Sequence, residues 1–140
     1  MSFREKTAWG MGLVLILAGV WYFRRVIGLS EALGETAAPD IRFVIGYIVL
    51  VVIASILVNI MIASAAGKEA EAPADERERA ILDKAGHWSG YVLAVGAVAG
   101  LWHFGWLHDG NLLFHIVFGA LMLSQIAEYA FQIFLFRRGV

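Results

Sequence analysis

Four long apolar runs, covering about residues 7–25, 43–66, 85–107 and 112–136, alternate with polar stretches along this chain. Each run is close to the roughly 20 residues a helix needs to cross a hydrocarbon core. The second run is dense in Val and Ile, which favours strands in water. Its length overrides that propensity, because in lipid only helices and closed barrels satisfy the backbone, and the strict alternation of a barrel strand is missing. The pattern therefore predicts an all-α, integral-membrane four-helix bundle forming one domain over residues 1–140.

The stretches between the runs differ in character. Residues 26–42 carry Glu31, Glu35 and Asp40 with Gly34 and Pro39, and read as an acidic loop within reach of Arg24, Arg25 and Arg42. Residues 67–84 are the most hydrophilic part of the chain. There Asp75, three residues ahead of Glu78, has the spacing of a helix cap with its reciprocal acid, and Asp75 to Arg79 adds an i,i+4 pair. A helix is predicted to start at that point and run on into the third span. His108, Asp109, Gly110 and Asn111 form a compact turn signal, so the third and fourth spans should make a tight antiparallel hairpin.

Composition sharpens this picture. The chain is 60% hydrophobic with a mean hydropathy of +0.72, so the lipid bilayer is its principal surroundings. A net charge of −1 provides no basic field for nucleic acid, and the absence of cysteine excludes disulfide exchange, thiolate catalysis and Cys-ligated metal centres. Trp21, Tyr22 and Phe23 directly before Arg24 and Arg25 read as an aromatic and basic girdle, and the first run as a retained anchor. With four spans, Arg4, Lys6, Lys68, Arg77, Arg79, Lys84, Arg137 and Arg138 fall on one side, against Arg24, Arg25 and Arg42 on the other. The positive-inside bias puts both termini and the 67–84 linker in the cytoplasm and the 26–42 loop outside. The helix starting near residues 75–84 is then a candidate docking surface for a cytoplasmic protein.

Candidate chemistry is sparse. Gln125, Glu128 and Gln132 follow i, i+3, i+7 spacing and share one helical face, which should point inward because a carboxylate in hydrocarbon costs several kcal/mol. At about 1.5 Å rise per residue, Glu128 and Asn59 lie at similar depths, so these four residues could line a site for a proton or ligand. No cofactor is predicted outright, but His103 and His115, facing each other across the hairpin, could ligate haem or a metal, with His108 or Asp109 as a further metal ligand. Gly86 with Gly90, and Gly96 with Gly100, have the small-xxx-small spacing that lets helices approach closely, and they point to self-association with a dimer favoured.

The opening Phe3-Arg4-Glu5-Lys6-Thr7-Ala8-Trp9, the linker Asp75-Glu76-Arg77-Glu78 and the close Phe136-Arg137-Arg138-Gly139 resemble a group of bacterial four-helix inner-membrane proteins with no assigned activity. The resemblance implies a bacterial inner (plasma) membrane and this topology. It carries over no catalytic residue. The expected role is a non-enzymatic interaction or sensing protein; the alternatives are a small transporter or proton-coupled binding protein using Glu128, and a haem or metal redox protein using His103 and His115.

Overall fold

The computed structural model describes residues 2–138, and only the backbone of Glu69 and Glu71; Gly139, the last residue of the closing motif, lies outside the described residues. The helices are α1 (Phe3–Leu33), α2 (Ile41–Ala66), a single turn α3 (Lys68–Glu71), α4 (Glu76–Leu107) and α5 (Gly110–Arg138). All but α3 are long and apolar enough to cross a membrane, so the protein is an all-α, multi-pass membrane bundle.

The helix ends follow from local chemistry. Ser2 accepts from the Glu5 amide to start α1, and Gly34 ends it in the left-handed region at φ 71°. Asp40 accepts from the Arg42 amide at 2.8 Å and starts α2. The capping box expected at Asp75 and Glu78 is present and starts α4. His108 closes α4 with φ 52°, and Asp109 accepts from the Leu112 amide at 2.9 Å, so the hairpin turns on these two residues.

Packing runs in the order α2, α1, α5, α4. In the most apolar window of each helix, 22% of α1 and of α5 is buried but only 6% of α2 and of α4. The central pair is thus α1 and α5, and the flanking helices present most of their surface to lipid. Glycines set the close approaches, as expected where lipid supplies no hydrophobic drive between helices. Trp21 lies over Gly46, Phe23 over Gly119, and Ala120 of α5 meets α4 where Gly96 has no side chain. Near the loop end, Ala18, Tyr22, Val26, Tyr47 and Met122 form one buried cluster; near the termini, Ile81, Ala85 and Leu135 form another.

The termini end is clasped by charge. Arg4 donates to Glu78 at 2.9 Å and to the Ala72 carbonyl at 3.5 Å, and Arg137 lies 3.5 Å from Glu5 and over the Trp9 ring. Glu78 therefore serves the cap of α4 and joins it to α1.

Three local expectations change. Most of the stretch read as the 26–42 loop is helix, because α1 continues through Leu33, and only residues 34–40 leave helical geometry. The Asp75–Arg79 pair is not among the ion pairs of the described residues; the Asp75 carboxylate accepts from the Glu78 amide at 2.7 Å instead. Of the ion pairs expected to hold the loop, the described residues form Asp40 with Arg42. The loop is held mainly by uncharged groups, described next.

Candidate functional site

The first candidate is the polar stripe of α5. Gln132 is 5% exposed and donates to the Glu128 carboxylate at 3.3 Å, one turn away on the same helix. Glu128 is half-buried and Gln125 is exposed. Asn59 is also exposed, and donates to the Ser55 carbonyl at 2.8 Å and toward the Met11 sulfur at 3.5 Å. The structure thus joins Glu128 to Gln132 but turns Asn59 to α1. The reason is the packing order: at this depth α2 leans on α1, so Asn59 meets Met11, while along the stripe of α5 burial falls from Gln132 through Glu128 to Gln125. The expectation of a wholly inward stripe is corrected at Gln125.

The glycines divide in the same way. Gly96 and Gly100 are spent inside the chain, where Ala120, Leu113, Ile116 and Val117 of α5 close on them. Gly86 and Gly90 meet nothing within 4 Å. Right-handed helix geometry sets Gly86 and Gly90 along the same edge of the α4–α5 seam as Gln125 and Glu128.

The second candidate lies at the loop end, and one of its members was assigned to another partner in the sequence. His115 is 6% exposed. Its Nε2 lies 2.9 Å from the Ala37 carbonyl, which can only accept, so Nε2 carries the proton. In the neutral ring Nδ1 then accepts from the Tyr22 hydroxyl at 3.2 Å. Tyr22 has no exposed surface, and its ring sits edge-on against Phe23, Phe118 and Tyr47. The Tyr47 hydroxyl is buried beside this cluster and has no hydrogen-bond partner among the described residues.

His115 is the centre of the fastening that holds the loop. Ala37, 1% exposed, also donates its amide to Ser30 Oγ at 3.0 Å, and Asn111 donates to the Thr36 carbonyl at 3.2 Å. Asp109 adds to it from the turn. The Leu112 amide, and then the Thr36 hydroxyl, hold the Asp109 carboxyl below its ordinary pKa. Asp40 is likewise held low, by the Arg42 side chain first and the Arg42 amide second.

His103 and His115 are not brought together. His103 is exposed and its Nδ1 lies 3.2 Å from the Ala99 carbonyl of its own helix, while His115 is turned to α1 and the loop. His108 is occupied in ending α4, with its ring near Phe104, and His87 pairs with Tyr91 at 3.0 Å. Among the described residues no three His, Asp or Glu side chains gather as a metal site.

Sequence reasoning took Tyr22 as part of an interfacial girdle. The signal for its burial is the α1 face that runs Ala8, Gly12, Leu15, Gly19, Tyr22 and Val26 at helical spacing, all buried. The chain matches no family model, no curated protein and no solved structure.

Proposed function

We propose that this multi-pass membrane protein acts by association and sensing rather than by catalysis, as a self-associating protein of a bacterial inner membrane with both termini in the cytoplasm. The orientation rests on the uneven distribution of Lys and Arg. The observation that carries the reading is Gln125, exposed near the middle of α5 on the same edge as the open Gly86 and Gly90. A primary amide left bare in hydrocarbon costs several kcal/mol, so that face calls for a hydrogen-bonding cover. An amide donates and accepts equally, and two copies related by a twofold axis satisfy each other through the same residue. Gly86 and Gly90 let the second copy come close.

The test is the mass of the protein in lipid nanodiscs and its response to Gln125→Leu. The proposal expects a dimer that dissociates more readily in the variant, and a wild type that stays monomeric at every protein-to-lipid ratio contradicts it.

A second reading, proton-coupled transport or binding through Glu128, draws on that carboxyl being half-buried in an apolar helix with Gln132 as its hydrogen-bond partner. Glu128→Gln removes the charge and keeps the shape. Proton flux and pH dependence unchanged in that variant would set this reading aside.

A further inference from the structure

We propose that His115 is a proton-operated latch on the 34–40 segment: neutral, it ties the loop to α1 and α5, and protonated, it leaves Tyr22 and Ala37 and turns into the acidic cleft beside it.

As placed, the ring needs a proton on Nε2 for Ala37 and a bare Nδ1 for Tyr22. A second proton turns Nδ1 into a donor facing a hydroxyl that is itself donating. Tyr22 is completely buried, so no solvent reaches it to accept its hydrogen. The cationic ring also lies against the Phe114 and Tyr22 rings, and no carboxylate among the described residues is hydrogen-bonded to it. A charge held there without a partner is strongly disfavoured.

An exit lies next to it. A cleft of about 550 Å³ between α1 and α5 has His115 in its wall, with Glu31 and Glu35 on the loop side and Phe23, Ile27 and Leu112 on the apolar side. Among the described residues no Lys or Arg lines it. Both Glu31 and Glu35 are exposed, and neither has an ion-pair partner among the described residues. The titratable groups around the ring are Tyr22 on α1, Tyr47 on α2 behind Tyr22, Glu31 on α1, Glu35 in the loop and Asp109 in the α4–α5 turn. All the charged ones are acids, so the field draws an imidazolium toward the cleft. Turning there breaks the Ala37 bond and leaves the middle of the loop on its bonds to Asn111, Ser30 and Asp109.

The absence of cysteine allows a single thiol to be placed at will. A nitroxide on Ala38→Cys, an exposed loop position, reports loop mobility by electron paramagnetic resonance in nanodiscs. The mobile fraction should rise several-fold between about pH 8 and about pH 5. His115→Gln should abolish the change, and Glu31→Gln with Glu35→Gln should weaken it. A loop equally immobile at both values overturns the latch, as does a pH response that survives in His115→Gln. Should the His115 variant fail to fold, nitrogen-15 histidine spectra of the wild type decide. The buried ring must gain its second proton over the same range in which the label loosens, and a ring that stays neutral while the loop loosens overturns the proposal.

Discussion

Tyr22 and His115, 93 positions apart in the chain, share a buried 3.2 Å hydrogen bond that fastens α1 to α5 at the loop end. The same imidazole reaches Ala37 through its other nitrogen. One ring therefore sets the position of two helices and a connecting segment.

Tyr22→Phe keeps the ring packing and removes the donor to Nδ1. A buried acceptor left unsatisfied costs on the order of 1–3 kcal/mol, with hydrogen bonds between membrane helices near the low end of that scale. Reversible unfolding in mixed micelles should show a loss of about 1 kcal/mol. A variant as stable as wild type would mean the bond contributes nothing to the fold.

Gly96→Val and Gly86→Val separate packing inside the chain from packing between copies. A side chain at position 96 drives into Ala120, and overpacking of this kind costs about 1–3 kcal/mol, so thermal stability should fall. Position 86 is open within the chain, and a side chain there should leave stability unchanged while weakening the dimer. Equal loss of stability in both variants would contradict the assignment of the two glycine pairs.

Glu78→Ala should fray the start of α4, because Glu78 closes the capping box and pairs with Arg4. Loss of a cap costs about 0.5–2 kcal/mol, and a part-exposed ion pair adds little. Hydrogen exchange should accelerate over residues 76–80 and stay unchanged in α5.

Asp109 gives the loop end a separate response to acid. Its carboxyl is held below the ordinary 3.8, first by the Leu112 amide and then by the Thr36 hydroxyl. A depressed carboxyl stabilises the fold above its unfolded pKa, and the contribution is lost as pH falls through the lowered value. The loss therefore lies below about pH 4. Melting temperatures of Asp109→Asn, which keeps a capping oxygen but no charge, should lack this acid-side decline and lie below wild type near neutral pH.

The spans, the capping box at Asp75 and the tight hairpin between the third and fourth spans were legible because each depends on local chemistry: run length, side-chain reach to nearby amides, and turn residues. The turn itself is two residues shorter than the four read for it, since Gly110 and Asn111 already belong to α5. The sequence also marked Gln125, Glu128 and Gln132 as one face. It did not disclose which way that face turns, since this depends on the order in which helices pack, and hydropathy is nearly the same all round each span. Asn59 was singled out as well, but its neighbour, Met11 of α1, was not, for the same reason. His115 was singled out, yet its partner was sought on α4, the helix next to it in sequence, when Tyr22 supplies the bond from α1.

The most direct measurement of self-association uses cysteine crosslinking in native membranes. Leu121→Cys places a thiol one turn before Gln125 on the open face of α5, and Ile56→Cys places one on the lipid-facing surface of α2. The account expects a rapid disulfide-linked dimer from Leu121→Cys and none above background from Ile56→Cys. No dimer from Leu121→Cys, or equal yields from the two, would contradict it.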